Sequence, residues 1–262
     1  MANLTSPKPL RTAAAPLAPV SGQAWPGVHY FCTTRMGGHS VAPWGGLNLG
    51  AHVGDAPDRV AANRALLQAS LPAEPLWLQQ VHGAEVYDAD GWQQPGTPPQ
   101  ADAAVTTRLG RPLAILTADC LPVVLADAHG SVLGVAHAGW RGLVAGVLEN
   151  TLDCMRRRAP GAQAWRAWIG PAIGQAHFEV GPEVRDAFLA QDPAQAMYFA
   201  GCAQSDRYLA DLAGIARHRL NRAGVVDIEN SGHCTYRQCA YFYSYRREPR
   251  TGRQATVAWL GR

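Results

Sequence analysis

The alternation of apolar and polar positions divides the chain into many short apolar runs and a few longer stretches of helical period. Residues 25–34 (WPGVHYFCTT) predict a strand that stops at Arg35 and the turn residues Gly37 and Gly38. Further apolar runs predict strands over residues 76–81, 113–116, 123–125, 132–136, 165–169, 225–229, 241–245 and 255–260. Asp55 stands where it could cap a helix, with Pro57 in the first turn and Val60, Arg64, Leu67 and Leu71 along one side. Val144, Val147, Leu148, Leu152 and Met155 predict one helix over residues 143–158, and Pro182 opens another toward Leu189. Leu209, Leu212, Ala216 and Leu220 predict a third over residues 208–223, closed by Gly224. Pro122 cannot donate to a ladder, so a bend or bulge is expected beside Cys120. Residues 91–100, rich in Pro and Gly, predict a surface loop. Strands and helices mix without a βαβ rhythm. The expected fold is therefore α+β in one domain, residues 23–262, behind a flexible Ala- and Pro-rich lead, residues 1–22.

Composition narrows the functional classes. With 262 residues, 47% hydrophobic and 16% charged, the chain has an ordinary globular balance and ample length for a core. No apolar run approaches the roughly 20 residues that cross a bilayer, so no membrane role is expected. The lead lacks the basic start and continuous apolar stretch of a signal peptide, which points to the cytoplasm and to reduced thiols at the six cysteines. A formal net charge of +3 gives no argument for nucleic acid, and Arg156, Arg157 and Arg158 suit the end of a helix. Lys8 is the only lysine. Its isolation argues against Schiff-base chemistry or a P-loop, and leaves anions to arginine, backbone amides or helix N-termini. Cys154 falls in a helical pattern as a core residue, while Cys234 and Cys239 are spaced more widely than a usual structural zinc pair.

Three residues carry the candidate chemistry. His82 (QQVHG), Cys120 (TADCLP) and His137 (AHAGWRG) each sit at the end of a predicted strand or beside an apolar run, next to a Gly or Pro turn signal. Two imidazoles and a thiolate are the ligand set of a catalytic zinc with an open fourth position. Such an ion lowers the pKa of bound water for attack on an electron-poor ring carbon, as in deamination, or polarises a substrate oxygen. Their spacing matches no compact zinc motif, and each residue taken singly also suits an ordinary structural role. The same set serves a blue copper centre, or a metal-free hydrolase with Cys120 as nucleophile and a histidine as base. A multicopper cluster would need His-x-His pairs, and none occurs among the nine histidines. Asp119 suits either a turn or a proton-carrying partner of the thiol. Arg35, Arg141, Arg246 and Arg247 are candidates for an anion.

At this level of detail the motifs become recognisable. TTRMGGHS, LNLGAHVGD, QQVHG, TADCLPVVLAD, GVAHAGWRG, IGPAIG, FEVG and FYSYRREPRTGR resemble the laccase-domain (YfiH-like) family, in order from about residue 31 to 260. The resemblance implies an α/β/β/α layered sandwich of mixed sheets. It implies cytosolic phosphorolysis of adenosine, inosine and S-methyl-5′-thioadenosine to free base and ribose 1-phosphate, together with adenosine deamination. The family's zinc ligands carry over to His82, Cys120 and His137. Purine nucleosides and phosphate are the implied partners, with Arg35, Asn48 and Arg247 expected to hold substrate or phosphate. Copper remains an alternative ion under the family's laccase name, and some members are described as peptidoglycan editing factors. His39 and the Trp44-Gly45-Gly46 stretch depart from the family pattern, in the loop before Asn48 where substrate preference would be set.

Overall fold

A computed structural model of the chain describes residues 18–93, 96–202 and 206–262. The apolar runs form two β-sheets laid face to face. One has four strands in the order β1 (Val28–Cys32), β13 (Gln254–Leu260), β5 (Leu113–Thr117), β2 (Leu76–Trp77), antiparallel except for the β5/β2 pair. The other has six, in the order β12 (Asp227–Asn230), β8 (Arg166–Ile169), β6 (Leu121–Ala126), β7 (Leu133–Ala138), β4 (Ala103–Thr106), β3 (Val86–Asp88). Its outermost pairs are parallel and its inner ones antiparallel. A small antiparallel sheet joins β10 (Phe199–Gly201), β11 (Tyr208–Ala210) and β9 (Glu179–Val180).

The two-residue period of β6 explains the layers. Val124 and Ala126 pack into the core between the sheets, with Tyr30, Leu113, Ile115, Leu260 and Trp168. Val123 and Leu125 point to the opposite side, into a core shared with α3 (Val147–Arg158), α4 (Pro182–Leu189) and α5 (Leu212–Arg222). On the far side of the four-stranded sheet, Ala114, Leu116 and Val257 meet Leu67 of α1 (Pro57–Gln68) and Leu47 and Leu49 of the preceding loop. The result is the expected α/β/β/α order of mixed sheets. Strands covered on both faces must be apolar on both, which is why β5 and β6 read as unbroken apolar runs. Each fully buried Leu or Ile in these layers contributes about 1.5–3 kcal/mol.

Several expectations are corrected. The helix over residues 143–158 is two helices, α2 (Trp140–Val144) and α3, because Gly146 takes φ 88°, a left-handed conformation that stops the first. Residues 208–210 form β11; Asp211 then accepts from the Gly214 amide and starts α5 at Leu212. Residues 241–245 are no strand. Phe242 and Tyr243 are buried in an irregular segment, where the Tyr243 hydroxyl donates to the Trp44 carbonyl at 3.0 Å. Asp55 leaves α1 uncapped, since its carboxylate accepts from Ser40 Oγ at 2.6 Å and Asn48 Nδ2 at 2.9 Å. The bend expected beside Cys120 is present over residues 118–120, while Pro122 itself lies within β6 opposite His137.

The flexible lead falls outside the described residues up to residue 17. Within it Val20 already exchanges two backbone hydrogen bonds with Cys32, at 2.8 and 2.7 Å. Residues 94–95 of the expected loop 91–100 also lie outside the description. Among the described residues no helix is long and apolar enough to cross a membrane.

Candidate functional site

Between β5 and β6 the chain passes from one sheet to the other, and Cys120 lies in that passage. The tight crossing puts Asp119 at φ 102°, which is uncommon for a residue with a side chain. Hydrogen bonds hold it there. Its carboxylate accepts from Thr235 Oγ1 at 2.7 Å, Ser244 Oγ at 3.0 Å and the Arg246 amide at 2.7 Å, and its carbonyl accepts from the Ile173 amide at 2.9 Å. Asp119 thus acts as the turn residue, tying three distant segments around the thiol.

His82 follows β2 on the four-stranded sheet. Beyond Trp77 the strand pairing is continued by a side chain. Gln80 Nε2 donates to the Leu116 carbonyl and Gln80 Oε1 accepts from the Leu116 amide, both at 2.8 Å. His82 itself sits at φ 62°. The amides of Val81, His82 and Gly83 all donate to the Asp102 carboxylate, at 3.1, 2.9 and 2.7 Å. Successive amides converging on one anion form a nest, which offsets the backbone strain.

His137, the penultimate residue of β7, reaches the same carboxylate from the six-stranded sheet. Its Nδ1 lies 2.8 Å from Asp102 Oδ1, and its amide donates to the Asp102 carbonyl at 2.7 Å. One buried aspartate therefore positions both histidines. The potential ligand atoms of His82, Cys120 and His137 all lie within 4.8 Å of one another, and the two imidazoles meet edge to face at 74°. Gly139 supplies the room. A Cβ there would stand 3.0 Å from Cys120 Sγ and 3.3 Å from His82 Cδ2.

The electrostatics favour an anionic sulfur. Burial alone would raise the Cys120 thiol, but the charge and hydrogen bond of His137, helped by His82, bring it down to about 6. Burial would lower His137, yet the charge of Cys120 and the hydrogen bond to Asp102 raise it to about 9. Burial would likewise raise Asp102, and its bonds from His137, Gly83 and Val81 hold it below its usual range. A thiolate, two imidazoles and a carboxylate behind one of them are the donor set and support of a transition-metal site. The residues present fit one ion.

The cluster opens into a cavity of about 640 Å³, within the range of small-molecule sites. Leu78, Leu116, Ile173 and Phe178 give it an apolar wall; Thr117, Arg246 and Arg253 add polar groups. His52 also lines it, and burial together with the charges of Arg253 and Arg64 lowers its pKa, so it stands there as neutral imidazole.

The other expected binding residues face elsewhere. Arg35 donates to the carbonyls of Gly45 and Cys239 and lies 4.8 Å over the Tyr243 ring. Arg247 donates to the carbonyls of Thr235, Tyr236 and Phe242. Asn48 is fully buried, with its amide nitrogen on Asp55 and its oxygen accepting from the Gly50 and Arg253 amides. All three brace loops, and none lines the cavity. Arg141 is exposed, 4.4 Å over the Trp140 ring. The sequence reading missed Asp102, His52 and Arg253. For Asp102 a signal existed, an acidic residue inside the apolar stretch ADAAV.

Fold and site define a layered α+β protein with a His–Cys–His cluster beside a ligand-sized cavity. Residues 29–261 match the family described as multi-copper polyphenol oxidoreductase laccase, and the chain belongs to that family. It is similar to an Escherichia coli K12 protein named purine nucleoside phosphorylase YfiH, 46% identical over 241 residues, 90% of this chain and 96% of that protein. A Pseudomonas aeruginosa protein, also named a purine nucleoside phosphorylase, is 46% identical over 239 residues, with the same 90% and 96% coverage. Among solved structures, a Neisseria meningitidis protein aligns with TM-score 0.86 at 40% identity, covering 95% of this chain and 100% of that one. YlmD from Geobacillus stearothermophilus aligns with TM-score 0.82 at 31% identity, covering 90% and 93%.

Proposed function

We propose that this protein is a zinc-dependent purine nucleoside phosphorylase of the cytoplasm. It would cleave adenosine, inosine and S-methyl-5′-thioadenosine with phosphate to the free base and the corresponding ribose 1-phosphate, and would also deaminate adenosine. The observation that carries this reading is the meeting of His82, Cys120 and His137 at a cavity large enough for a nucleoside and holding arginine. The names of the relatives support the same reaction class.

A zinc ion held by the three side chains would supply a Lewis acid in the cavity wall. The chain's own groups do the rest. Leu78, Leu116, Ile173 and Phe178 offer apolar surface to the faces of a purine. In phosphorolysis a phosphate oxygen bonds to the ribose C1′ while the bond from C1′ to the purine nitrogen breaks, and its electron pair leaves with the base. Arg246 and Arg253 provide cations for the phosphate, and neutral His52 can exchange hydrogen bonds with base or sugar. Asp102 fixes the orientation of His137, so that the other ring nitrogen is free for the site. Zinc is favoured over blue copper because, among the described residues, no methionine lines the cavity to supply the weak thioether ligand usual in a blue copper site. Met155 is a buried residue of α3, and Met36 and Met197 are exposed.

A second reading has its own observation. Cys120, His137 and Asp102 are arranged as nucleophile, base and orienting carboxylate, the arrangement of a metal-free hydrolase. One experiment separates the two. Purified protein is incubated with adenosine, with and without phosphate, before and after chelation, and the products and bound metal are identified. Adenine and ribose 1-phosphate formed only with phosphate, inosine formed without it, and loss of both on chelation support the proposal. Turnover that survives chelation and is blocked by alkylation of Cys120 supports the hydrolase. No nucleoside turnover by zinc-loaded protein overturns the proposal.

A further inference from the structure

Two stretches of chain cross from the four-stranded sheet to the six-stranded one side by side. Residues 78–85 run from β2 to β3 and carry His82; residues 118–120 run from β5 to β6 and carry Cys120. β2 and β5 are parallel neighbours, so both crossings leave from the same end of the sheet. Main-chain pairing between the two strands stops at Trp77 and Ala114, and the Gln79 amide turns instead to the Pro99 carbonyl at 2.9 Å. Leu116 is stranded by that departure. Its antiparallel partner Ala255 spends both backbone groups on Thr33: the amide donates to Thr33 Oγ1 at 3.0 Å, and the carbonyl accepts from the Thr33 amide at 2.8 Å. A residue opposite such a partner turns its own amide and carbonyl the other way, here toward the place β2 has vacated. Leu116 is 7% exposed, so leaving those two groups unpaired would be costly.

Gln80 fills the gap. A carboxamide carries a donor and an acceptor side by side, as a peptide group does, and this one meets both groups of Leu116 at 2.8 Å. Gln80 stands two residues before His82, and Leu116 four before Cys120. The clip therefore joins the two crossings just ahead of both candidate ligands. The histidines differ in how much they need it. Behind the His137 ring lies Asp102 Oδ1, 2.8 Å from Nδ1; among the described residues the His82 ring has no carboxylate within ion-pair distance. The place of the His82 ring thus depends on how its backbone is held. Asp102 grips that backbone at residues 81–83 from the side of the six-stranded sheet, and Gln80 grips it from the four-stranded one.

We propose that Gln80 is a positioning residue of the metal cluster: standing in for a missing strand, its carboxamide sets the His82 imidazole against Cys120 so that both can hold one ion. This rests on the metal reading of the site and not on the identity of the substrate. The test compares wild type with Gln80→Leu, which removes both hydrogen bonds at similar size, and Gln80→Glu, which keeps an acceptor for the Leu116 amide but no donor for its carbonyl. Asn150→Ala is the control, because Asn150 Nδ2 ties the same crossing to α3 through the Ala84 carbonyl at 3.1 Å. Zinc affinity is measured by competition with a chromophoric chelator, and ligand geometry by the visible bands of the cobalt-loaded proteins. Removing support from a metal ligand typically costs tenfold to a hundredfold in affinity. Gln80→Leu should therefore raise the zinc Kd roughly tenfold to a hundredfold and change the cobalt bands, with Gln80→Glu about tenfold weaker than wild type. Asn150→Ala should stay within about threefold of wild type and keep its bands. Wild-type zinc affinity or wild-type cobalt bands in Gln80→Leu overturns the inference, and so does an equal loss in Asn150→Ala, which would mean that any loosening of the crossing weakens the site. Wild-type protein that binds no zinc, or that binds it as tightly after Cys120→Ala, overturns the metal reading itself and the inference with it. Should Gln80→Leu not fold, Gln80→Glu decides by the same two measurements.

Discussion

Replacing Asp102 by Asn tests the central physical claim, that one carboxylate assembles the site. The side chain is fully buried, and each oxygen serves two donors: Oδ1 faces the His82 amide and His137 Nδ1, Oδ2 faces the Val81 and Gly83 amides. An amide has the same shape but only one acceptor atom, so its NH2 group faces donors in place of an acceptor: the Val81 and Gly83 amides one way, the His82 amide and His137 Nδ1, unless that ring changes tautomer, the other. Two hydrogen bonds to a charged group are lost, at about 1.5–3 kcal/mol each, giving an expected destabilisation of about 3–6 kcal/mol. That is a large part of the roughly 5–15 kcal/mol by which a domain is usually stable. The measurement is urea denaturation of metal-free wild-type and Asp102→Asn proteins, compared at equal m-value. On the proposed metal reading, the variant should also bind zinc about 10–100-fold more weakly, as happens when the partner behind a ligating histidine is removed. A variant within about 1 kcal/mol of wild type would refute the reasoning, because in either orientation the asparagine loses acceptor bonds that the carboxylate makes.

Two further predictions follow from the same geometry. Gly139→Ala places a methyl group 3.0 Å from Cys120 Sγ without asking for a forbidden backbone angle, since Gly139 has φ −65°. On the proposed reading, zinc content and nucleoside turnover should fall together while the melting transition shifts little, and a fully metal-loaded, active variant would contradict the close packing claimed. Asp90 is buried among Thr106, Thr107 and Arg158; burial would raise its carboxyl, but the hydrogen bonds from these residues outweigh that and hold it well below its usual range. A depressed carboxyl stabilises the fold above its unfolded pKa of about 4, and that stability is lost as pH falls through the folded value. Asp90→Asn should therefore cost about 1–3 kcal/mol at neutral pH, with the gap to wild type closing in acid. A gap that stays constant across denaturation curves from neutral pH down to strong acid would show the carboxylate to be unimportant.

Much of the framework was legible in the sequence because it rests on local pattern. β5 and β6 announce themselves as apolar runs, and α4 by the proline at its first position. The cluster itself was legible as residue types at turn signals. What was not legible depends on distant partners. Nothing near residue 102 says that its carboxylate will collect amides from residues 81–83 and an imidazole from residue 137. The aromatic run 241–245 has every local mark of a strand, yet burial of Phe242 and Tyr243 and the bond from Tyr243 to the Trp44 carbonyl fix it as irregular chain. Arginine was the hardest case. A guanidinium looks the same in sequence whether it faces a ligand or, like Arg35 and Arg247, ties loops through carbonyls.

The passage of residues 118–120 from one sheet to the other has a mechanical consequence. His82 hangs from the four-stranded layer, His137 from the six-stranded one, and Cys120 from the span joining them. An ion clasped by all three would act as a rivet through the sandwich, resisting any sliding of the layers. Loading and stripping that rivet should therefore be felt far from the cavity, as slowed and quickened amide exchange along β5, β6 and β7.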